Sequence, residues 1–154
     1  MNQNKFEIAE AKERIALDEL APRIGCKVVY TTPIGSYKHY DAVLDCAKHT
    51  WKVEIKLRNR KTSDFDDCIF EKYKYDELIN PTYGEHNEFK ADKSMFIVKY
   101  NDLIHFWEIT ANNAPEWQDN NLTATSVDGD DKRKWKQVTY LPFTSTFFNI
   151  STKK

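Results

Sequence analysis

Glycine, proline and cysteine are scarce in this chain, and long hydrophobic runs are missing. The 154 residues include only 4 glycines and 5 prolines, which excludes a flexible linker, a collagen-like repeat and a low-complexity segment. No apolar run approaches the roughly 20 residues that a transmembrane helix needs. The charged residues within positions 1–20 also leave no apolar core for a secretory signal. We therefore expect a cytoplasmic protein without membrane association.

An excess of charge and a cysteine pairing motif are absent too. The 23 basic and 24 acidic residues give a net charge of −1, which excludes a histone-like polycation but leaves room for local basic clusters. Cys26, Cys46 and Cys68 are odd in number and form no Cys-x-x-Cys motif, so we expect reduced thiols. The chain does contain 40% hydrophobic residues, enough for a real core, and its length predicts a single domain over residues 1–154.

Local patterns predict the element order αβββαβββ. An alanine-, glutamate- and leucine-rich segment predicts a helix over 4–21, and a second helix is predicted over 64–80. Six runs rich in β-branched and aromatic residues predict strands: 26–32, 38–45, 50–57, 94–100, 103–109 and 134–141. The polar stretch 111–133 is expected to be a loop, and 142–150 a short closing helix or coil. This order predicts an α+β fold, an α/β sandwich with helices against a mixed sheet.

Acidic residues gather on the hairpin predicted over 38–57. Because alternate residues of a strand share a face, Glu54 and Lys56 point the same way, away from the core. If residues 47–48 form the tip of the hairpin, Asp41 lies opposite Glu54. Two adjacent carboxylates repel each other unless a cation lies between them. Hard oxygen ligands of this kind suit Mg²⁺ or Mn²⁺.

The first predicted helix adds a third acidic residue. Its apolar stripe is formed by Phe6, Ala9, Leu17 and Leu20. Glu13 falls in the middle of that stripe, where a carboxylate must be paired or bound to a metal ion. Two interpretations remain open: a buried salt bridge, for instance with Arg58, or participation in the same metal site.

These residues together resemble the PD-(D/E)XK nuclease superfamily, which has the restriction-endonuclease-like fold. The pattern consists of Glu13 on a first helix, Gly25 after it, Asp41 on one strand and Glu54-x-Lys56 on the next. The resemblance covers residues 6 to about 80 and is particularly to small Holliday-junction-resolvase-like and phage or bacterial endonucleases.

The resemblance implies a Mg²⁺-dependent DNA endonuclease, with Mn²⁺ as a possible substitute and no small-molecule cofactor. Asp41 and Glu54 would bind the metal, helped by the Ile55 carbonyl and, directly or through water, by Glu13. Lys56 would orient and acidify the attacking water, which leaves a 5′-phosphate and a 3′-hydroxyl. A single domain favours structure-selective or weakly sequence-selective cutting, for example of branched DNA. We expect a homodimer in the cytoplasm of a bacterial or phage-infected cell.

Basic residues form further candidates for contacts with the phosphate backbone of DNA. The first group directly follows the motif, the second lies on the second predicted helix, and the third precedes the last predicted strand. The candidates are Arg58, Arg60, Lys61, Lys72, Lys74, Lys132, Arg133, Lys134 and Lys136. The helical pattern leaves open which of Lys72 and Lys74 points inward.

Other functional classes stay open at this point. A catalytically inactive module that binds nucleic acid or protein could have the same fold, although the presence of Asp41, Glu54 and Lys56 favours an enzyme. A carboxylate pair also occurs in glycosidases, but the neighbouring lysine and the lack of a sugar-stacking pattern disfavour that class. In the simplest alternative, Glu54 and Lys56 lie on a solvated face of an ordinary amphipathic hairpin.

Overall fold

The computed structural model describes residues 5–35, 40–112, 114–123 and 133–152. Two α-helices and eleven β-strands are assigned within these ranges. They are α1 (Lys5–Arg23), β1 (Cys26–Thr31), β2 (Ala42–Cys46), β3 (Thr50–Leu57), β4 (Asp67–Glu71), α2 (Lys72–Ile79), β5 (Thr82–Tyr83), β6 (Phe89–Lys90), β7 (Lys93–Lys99), β8 (Leu103–Glu108), β9 (Gln118–Thr123), β10 (Arg133–Pro142) and β11 (Phe148–Ser151). Among these described residues, no helix is long and apolar enough to cross a membrane.

The largest sheet is mixed and has six strands in the order β1-β2-β3-β7-β8-β11. Its β3–β7 pair is parallel and the other four pairs are antiparallel. A parallel pair needs a crossover connection, and the crossover between β3 and β7 contains β4 and α2. A three-stranded sheet, β4-β10-β9, and a two-stranded sheet, β5-β6, complete the described structure. The expected α+β class with a mixed sheet is confirmed.

Both faces of the large sheet are covered, so its central strands are buried on both sides, and the residues buried in β3 include the charged Lys52 and Glu54. Leu17 and Leu20 of α1 pack on one face against β3 and β7 residues that include Val53. Tyr75 and Leu78 of α2 pack on the opposite face. The two helices therefore fix β3 from both sides, and β3 is the strand that carries the Glu-x-Lys motif.

The register of the β2–β3 hairpin is the predicted one. Ala42 pairs with Val53 and Asp45 pairs with Thr50, and reciprocal backbone hydrogen bonds between Cys46 and His49 close the turn around residues 47–48. A local turn and a strict alternation of side chains determine this register together. The predicted strand covers 38–45, whereas β2 begins at Ala42; residues 38–39 lie outside the described residues.

The helix predicted over 64–80 is wrong in its first half. The chain forms a short 3₁₀ turn over Thr62–Asp64 and then β4, before α2 begins at Lys72. In β4, the buried Cys68 and Phe70 alternate with more exposed neighbours, which is the period of a strand. The partner strand is β10, where Thr139 faces Phe70. Only that distant partner makes the segment a strand.

Two further expectations are corrected near the C-terminal end. The predicted loop 111–133 contains β9, and the predicted closing helix or coil over 142–150 contains a 3₁₀ turn followed by β11. β9 reads QDNNLT, a polar segment without strand propensity. It becomes a strand because its backbone pairs with β10 from Gln118 to Thr123.

Cys26 and Cys46 form a disulfide, although the cysteine count predicted reduced thiols. The two residues face each other in the antiparallel β1–β2 pair, with their Cα atoms 4.3 Å apart. Facing positions at this separation bring two sulfur atoms within bonding distance. The third cysteine, Cys68, is buried and free. The expectation of reduced thiols is therefore wrong for the first two cysteines.

Candidate active site

The Asp41 carboxylate lies where the hairpin opens, directly before β2. Its backbone N–H donates to the carbonyl of Val53, the residue that pairs with Ala42, at 2.8 Å. The Asp41 charge acts on Glu54, so the two carboxylates lie near each other, but the predicted pairing of Asp41 with Glu54 is not part of the strand register, which ends at Ala42 and Val53. The Ile55 N–H donates to Asp41 Oδ2 at 2.7 Å, which fixes the carboxylate against β3.

Glu54 is held by a lysine of the second helix. Lys74 Nζ lies 2.8 Å from Glu54 Oε1, and the Glu54 side chain is 7% exposed. Burial alone would lower the pKa of Lys74, but the Glu54 carboxylate raises it above its usual value. Lys72 instead pairs with Asp76 on the surface of α2 at 2.9 Å. The structure thus settles which lysine of this helix points inward.

Three carboxylates of the site lie close enough to influence one another. Burial raises the pKa of Glu13 to about 8, and the nearby Asp41 charge contributes to that rise. Burial also raises the pKa of Glu54 well above its usual value, with Asp41 and Glu13 adding to the shift. Such mutual repulsion is what a bound cation would relieve. Glu13 itself is partly buried, and its cationic neighbours are Lys56, Lys74 and Arg14.

Lys56 has an unusually low pKa for a lysine. Burial lowers it first, repulsion from Lys74 lowers it further, and Glu54 only partly offsets these effects, so that the pKa is about 7. Near neutral pH the amine is therefore present in both its neutral and its protonated form. A neutral amine can accept a proton, and an ammonium group can stabilise negative charge.

Arg14 is a residue of the site that sequence reasoning missed. Its Nη1 donates to Asp41 Oδ1 at 2.7 Å, and its Nη2 donates to the Thr32 carbonyl at 3.1 Å and to Thr32 Oγ1 at 2.7 Å. The Arg14 side chain is 13% exposed. The one available signal was its position next to Glu13, and no periodic pattern marks it.

A third buried ion pair, between Glu71 and Lys136, adjoins the site. Lys136 Nζ lies 2.8 Å from Glu71 Oε1, with side chains 6% and 13% exposed. Burial opposes ionisation of Glu71, but Lys74, Lys56 and the Lys136 hydrogen bond together lower its pKa to about 2. Lys136 is therefore no part of a solvent-facing basic patch, which corrects the prediction for this residue.

The remaining members of that predicted patch are placed differently from Lys136. Arg133 and Lys134 are exposed on β10, and Arg133 donates to the Asn121 carbonyl at 2.8 Å. Lys132 lies outside the described residues. The patch therefore does not form one surface together with Lys136.

A cleft of about 770 Å³ opens beside Glu13 and Lys56. Its charged lining consists of six basic residues and one acid: Lys5, Lys12, Lys56, Arg58, Arg60, Lys99 and Glu13. Arg58 and Arg60 were predicted from the sequence, whereas Lys61 is exposed outside this lining. The basic residues of α1 and β7 were missed because they are isolated in sequence and only the fold brings them together.

The carboxylate oxygens of the site are the kind of ligand that a hard divalent cation prefers. Among the described residues no group of three or more His, Cys, Asp or Glu side chains is arranged to hold a metal ion. Mg²⁺ does not require such a group, since one or two carboxylates together with waters and substrate phosphates commonly suffice. Asp41 and Glu54 supply two such carboxylates, and one oxygen of each contacts a cation of the chain, Arg14 or Lys74.

Comparison with known proteins gives no relative from which a function of this site could be inferred. No protein-family model, curated protein or solved structure matches the chain. The function is therefore inferred from the sequence motif and from the geometry of the site.

Proposed function

We propose that this protein is a divalent-cation-dependent DNA endonuclease of the PD-(D/E)XK type, built on a restriction-endonuclease-like core. One observation carries the proposal. The Asp41 and Glu54 carboxylates lie close enough for their charges to interact, and Lys56 and Glu13 of the same cluster line a cleft whose other charged residues are all basic. A carboxylate cluster next to a basic cleft is the combination that phosphodiester hydrolysis needs.

The cleft would bind the phosphate backbone of the substrate. Arg58, Arg60 and Lys99 line it together with the two lysines of α1. Cations at phosphates release condensed counterions, which supplies affinity that does not depend on sequence. The cleft leads to Lys56 and Glu13, so a backbone bound there has a phosphate beside the reacting groups.

The chemistry would be divided between a bound cation and Lys56. Mg²⁺ or Mn²⁺ held by Asp41 and Glu54 would act as a Lewis acid that stabilises charge developing on the phosphate. The neutral Lys56 amine would accept the proton of the attacking water as its oxygen bonds to phosphorus. The bond from phosphorus to the 3′ oxygen breaks, and that oxygen is protonated by solvent. The products are a 5′-phosphate and a 3′-hydroxyl.

Structure-selective or weakly sequence-selective cutting by a homodimer belongs to the same proposal. The described site offers one set of reacting groups, and cutting both strands of a duplex or a branched DNA takes two sets. A second copy of the chain is the simplest source of the other set.

An inactive DNA-binding module is the second candidate, and one observation favours it. Arg14 and Lys74 already neutralise Asp41 and Glu54, so the carboxylates could be structural ion pairs beside a binding cleft. Buried ion pairs of this kind also occur without any catalytic role.

One assay separates the two candidates. The protein is incubated with supercoiled plasmid, linear duplex or a four-way junction, in Mg²⁺ or in EDTA. The nuclease proposal expects cleavage only in Mg²⁺, with 5′-phosphate ends. Binding of DNA without cleavage under both conditions would favour the inactive module, and the absence of both would contradict both candidates.

A further inference from the structure

Arg14 occupies the oxygen of Asp41 that a metal ion would need. Asp41 Oδ2 accepts from the Ile55 N–H at 2.7 Å, so this oxygen is held by the backbone of β3. The other oxygen, Oδ1, accepts from Arg14 Nη1 at 2.7 Å. A cation that approaches Oδ1 therefore meets a guanidinium group of like charge.

The guanidinium group can leave Asp41 without leaving the site. Of its three hydrogen bonds to described residues, one goes to Asp41 and two go to Thr32. Thr32 is buried and is fixed in turn, because its hydroxyl donates to the Tyr40 carbonyl at 3.1 Å. If Arg14 releases Asp41, it loses one hydrogen bond, and the two bonds to Thr32 keep its positive charge near the site.

We propose that Arg14 is a built-in counter-ion of Asp41 that competes with the divalent metal for Asp41 Oδ1. The inference rests on the proposed function, since it takes Asp41 as a metal ligand. Arg14 stabilises the metal-free site by neutralising a carboxylate that Glu54 and Glu13 would otherwise repel. The same contact weakens metal binding, because the ion must displace one positive charge and then bind beside it.

The test measures metal binding rather than cleavage. Free Mn²⁺ is followed by electron paramagnetic resonance during titration of the metal-free protein, for the wild type, Arg14→Gln and Arg23→Gln. Arg23 is the matched control, because it lies on the same helix and its exposed side chain bonds the Ser151 carbonyl at 2.7 Å. We expect Arg14→Gln to bind Mn²⁺ at least ten-fold more tightly than the wild type, and Arg23→Gln to bind like the wild type.

A double variant identifies the oxygen involved. In Arg14→Gln combined with Asp41→Asn, the gain in Mn²⁺ affinity should disappear, because the amide no longer offers a charged ligand. A gain that persists in the double variant would contradict the competition at Asp41.

The remaining outcomes separate this inference from the proposed function. Equal or weaker binding by Arg14→Gln, with measurable binding by the wild type, overturns the role of Arg14 and leaves the nuclease proposal standing. No binding of Mn²⁺ by any variant overturns both. If Arg14→Gln is unfolded in EDTA, Mn²⁺ must restore its cooperative thermal transition while K⁺ at matched ionic strength does not. A variant that stays unfolded in Mn²⁺ contradicts the inference.

Discussion

Single residues of the site are held by buried ion pairs, and these pairs depend on one another. Asp41 is bound by Arg14, Glu54 by Lys74 and Glu71 by Lys136. Burying a charge is costly unless a partner of opposite sign is buried with it. Removal of one partner therefore leaves an uncompensated charge, and the loss of stability exceeds what a surface pair would show.

Replacement of Glu71 by Gln should lower stability at neutral pH and have less effect in acid. The folded protein lowers the pKa of Glu71 from 4.5 to about 2, which corresponds to roughly 3 kcal/mol of stability. Because the folded-state pKa is the lower one, this stability is present above about pH 4.5 and is lost as the pH falls through about 2. Denaturant melts of both proteins from pH 7 to pH 2.5 should therefore converge.

Asp76→Asn is the matched control for this prediction. Asp76 forms an exposed pair with Lys72, and such pairs contribute roughly 0–1 kcal/mol. A Glu71→Gln variant as stable as this control at pH 7 would show that the Lys136 pair does not stabilise the fold.

Replacement of Glu13 by Gln should have the opposite effect on stability. The folded state raises the pKa of Glu13 to about 8 through burial and the Asp41 charge. The protonated Glu13 side chain therefore stabilises the fold fully below about pH 4.5, and this stability is lost as the pH rises through 8. The variant should be unchanged in acid and more stable by about 1–2 kcal/mol at pH 8, after solvent screening is allowed for. Cleavage should fall by orders of magnitude.

Denaturant melts at pH 5 and pH 8, together with a cleavage assay, measure both effects. Glu19→Gln, on the exposed side of α1, serves as the control and should change neither quantity. A destabilised Glu13→Gln variant with full activity would identify Glu13 as a structural ion-pair partner outside the reaction.

Individual elements differ in how far the sequence predicts them. The β2–β3 hairpin was predictable with its register, because its turn and its alternating pattern are local. β4 and β9 were not, since both are strands only through pairing with β10, which lies far along the chain. Local propensity predicts the secondary structure of a segment correctly only where no distant strand pairs with its backbone.

In the candidate site, too, some features follow from the local sequence and others depend on distant parts of the chain. Asp41, Glu54 and Lys56 were predictable because strand alternation and a tight turn place them together. The inward direction of Lys74 depends on how α2 packs on the sheet. The contacts of Arg14 and Lys136 depend on the approach of separate elements. Side-chain partners of this kind have no local signature in a single sequence.

Lys52 fastens α2 to β3, and its replacement by Met should destabilise the fold. Its side chain is 0% exposed, and Nζ donates to the carbonyls of Glu77, Asn80 and Thr82 at 2.7, 3.0 and 3.0 Å. The variant leaves three carbonyl groups without this donor at the end of α2, so we expect a loss of about 3–5 kcal/mol. Denaturant unfolding measures it.

Lys93→Met provides the comparison for Lys52. Lys93 is also a residue of the large sheet and pairs with Glu108 at 3.0 Å. Its side chain is 36% exposed and that of Glu108 is 29% exposed. Its loss should cost less than about 1 kcal/mol. Equal effects of the two variants would show that the buried ammonium group does not anchor α2.

The molecule as a whole is nearly neutral, yet its charges are unevenly distributed. The net charge is −1, while the cleft beside the acidic cluster has a charged lining of six cations and one carboxylate. An uneven distribution of this kind attracts a polyanion to one place without making the whole surface basic.

The salt dependence of DNA binding should show whether the phosphate backbone of DNA contacts the cleft. Lys99 lines the cleft at the end of β7, and one lost phosphate contact lowers the slope of log K against log salt by about 0.9. Lys99→Met should show that decrease in a fluorescence-anisotropy titration in EDTA. Lys27→Met, exposed on β1, should keep the wild-type slope. An unchanged slope in Lys99→Met would place the DNA elsewhere.

Metal-dependent cleavage by Lys56→Met tests the central claim most directly. Lys56 joins the acidic cluster to the basic cleft, and positioned proton transfer typically contributes 10²–10⁴-fold to a rate. The rate of Mg²⁺-dependent cleavage is measured for the wild type, Lys56→Met and Lys27→Met, each shown to be folded by its thermal transition. The account predicts at least a 100-fold loss for Lys56→Met and an unchanged rate for Lys27→Met. A folded Lys56→Met variant that cleaves DNA as fast as Lys27→Met would contradict it.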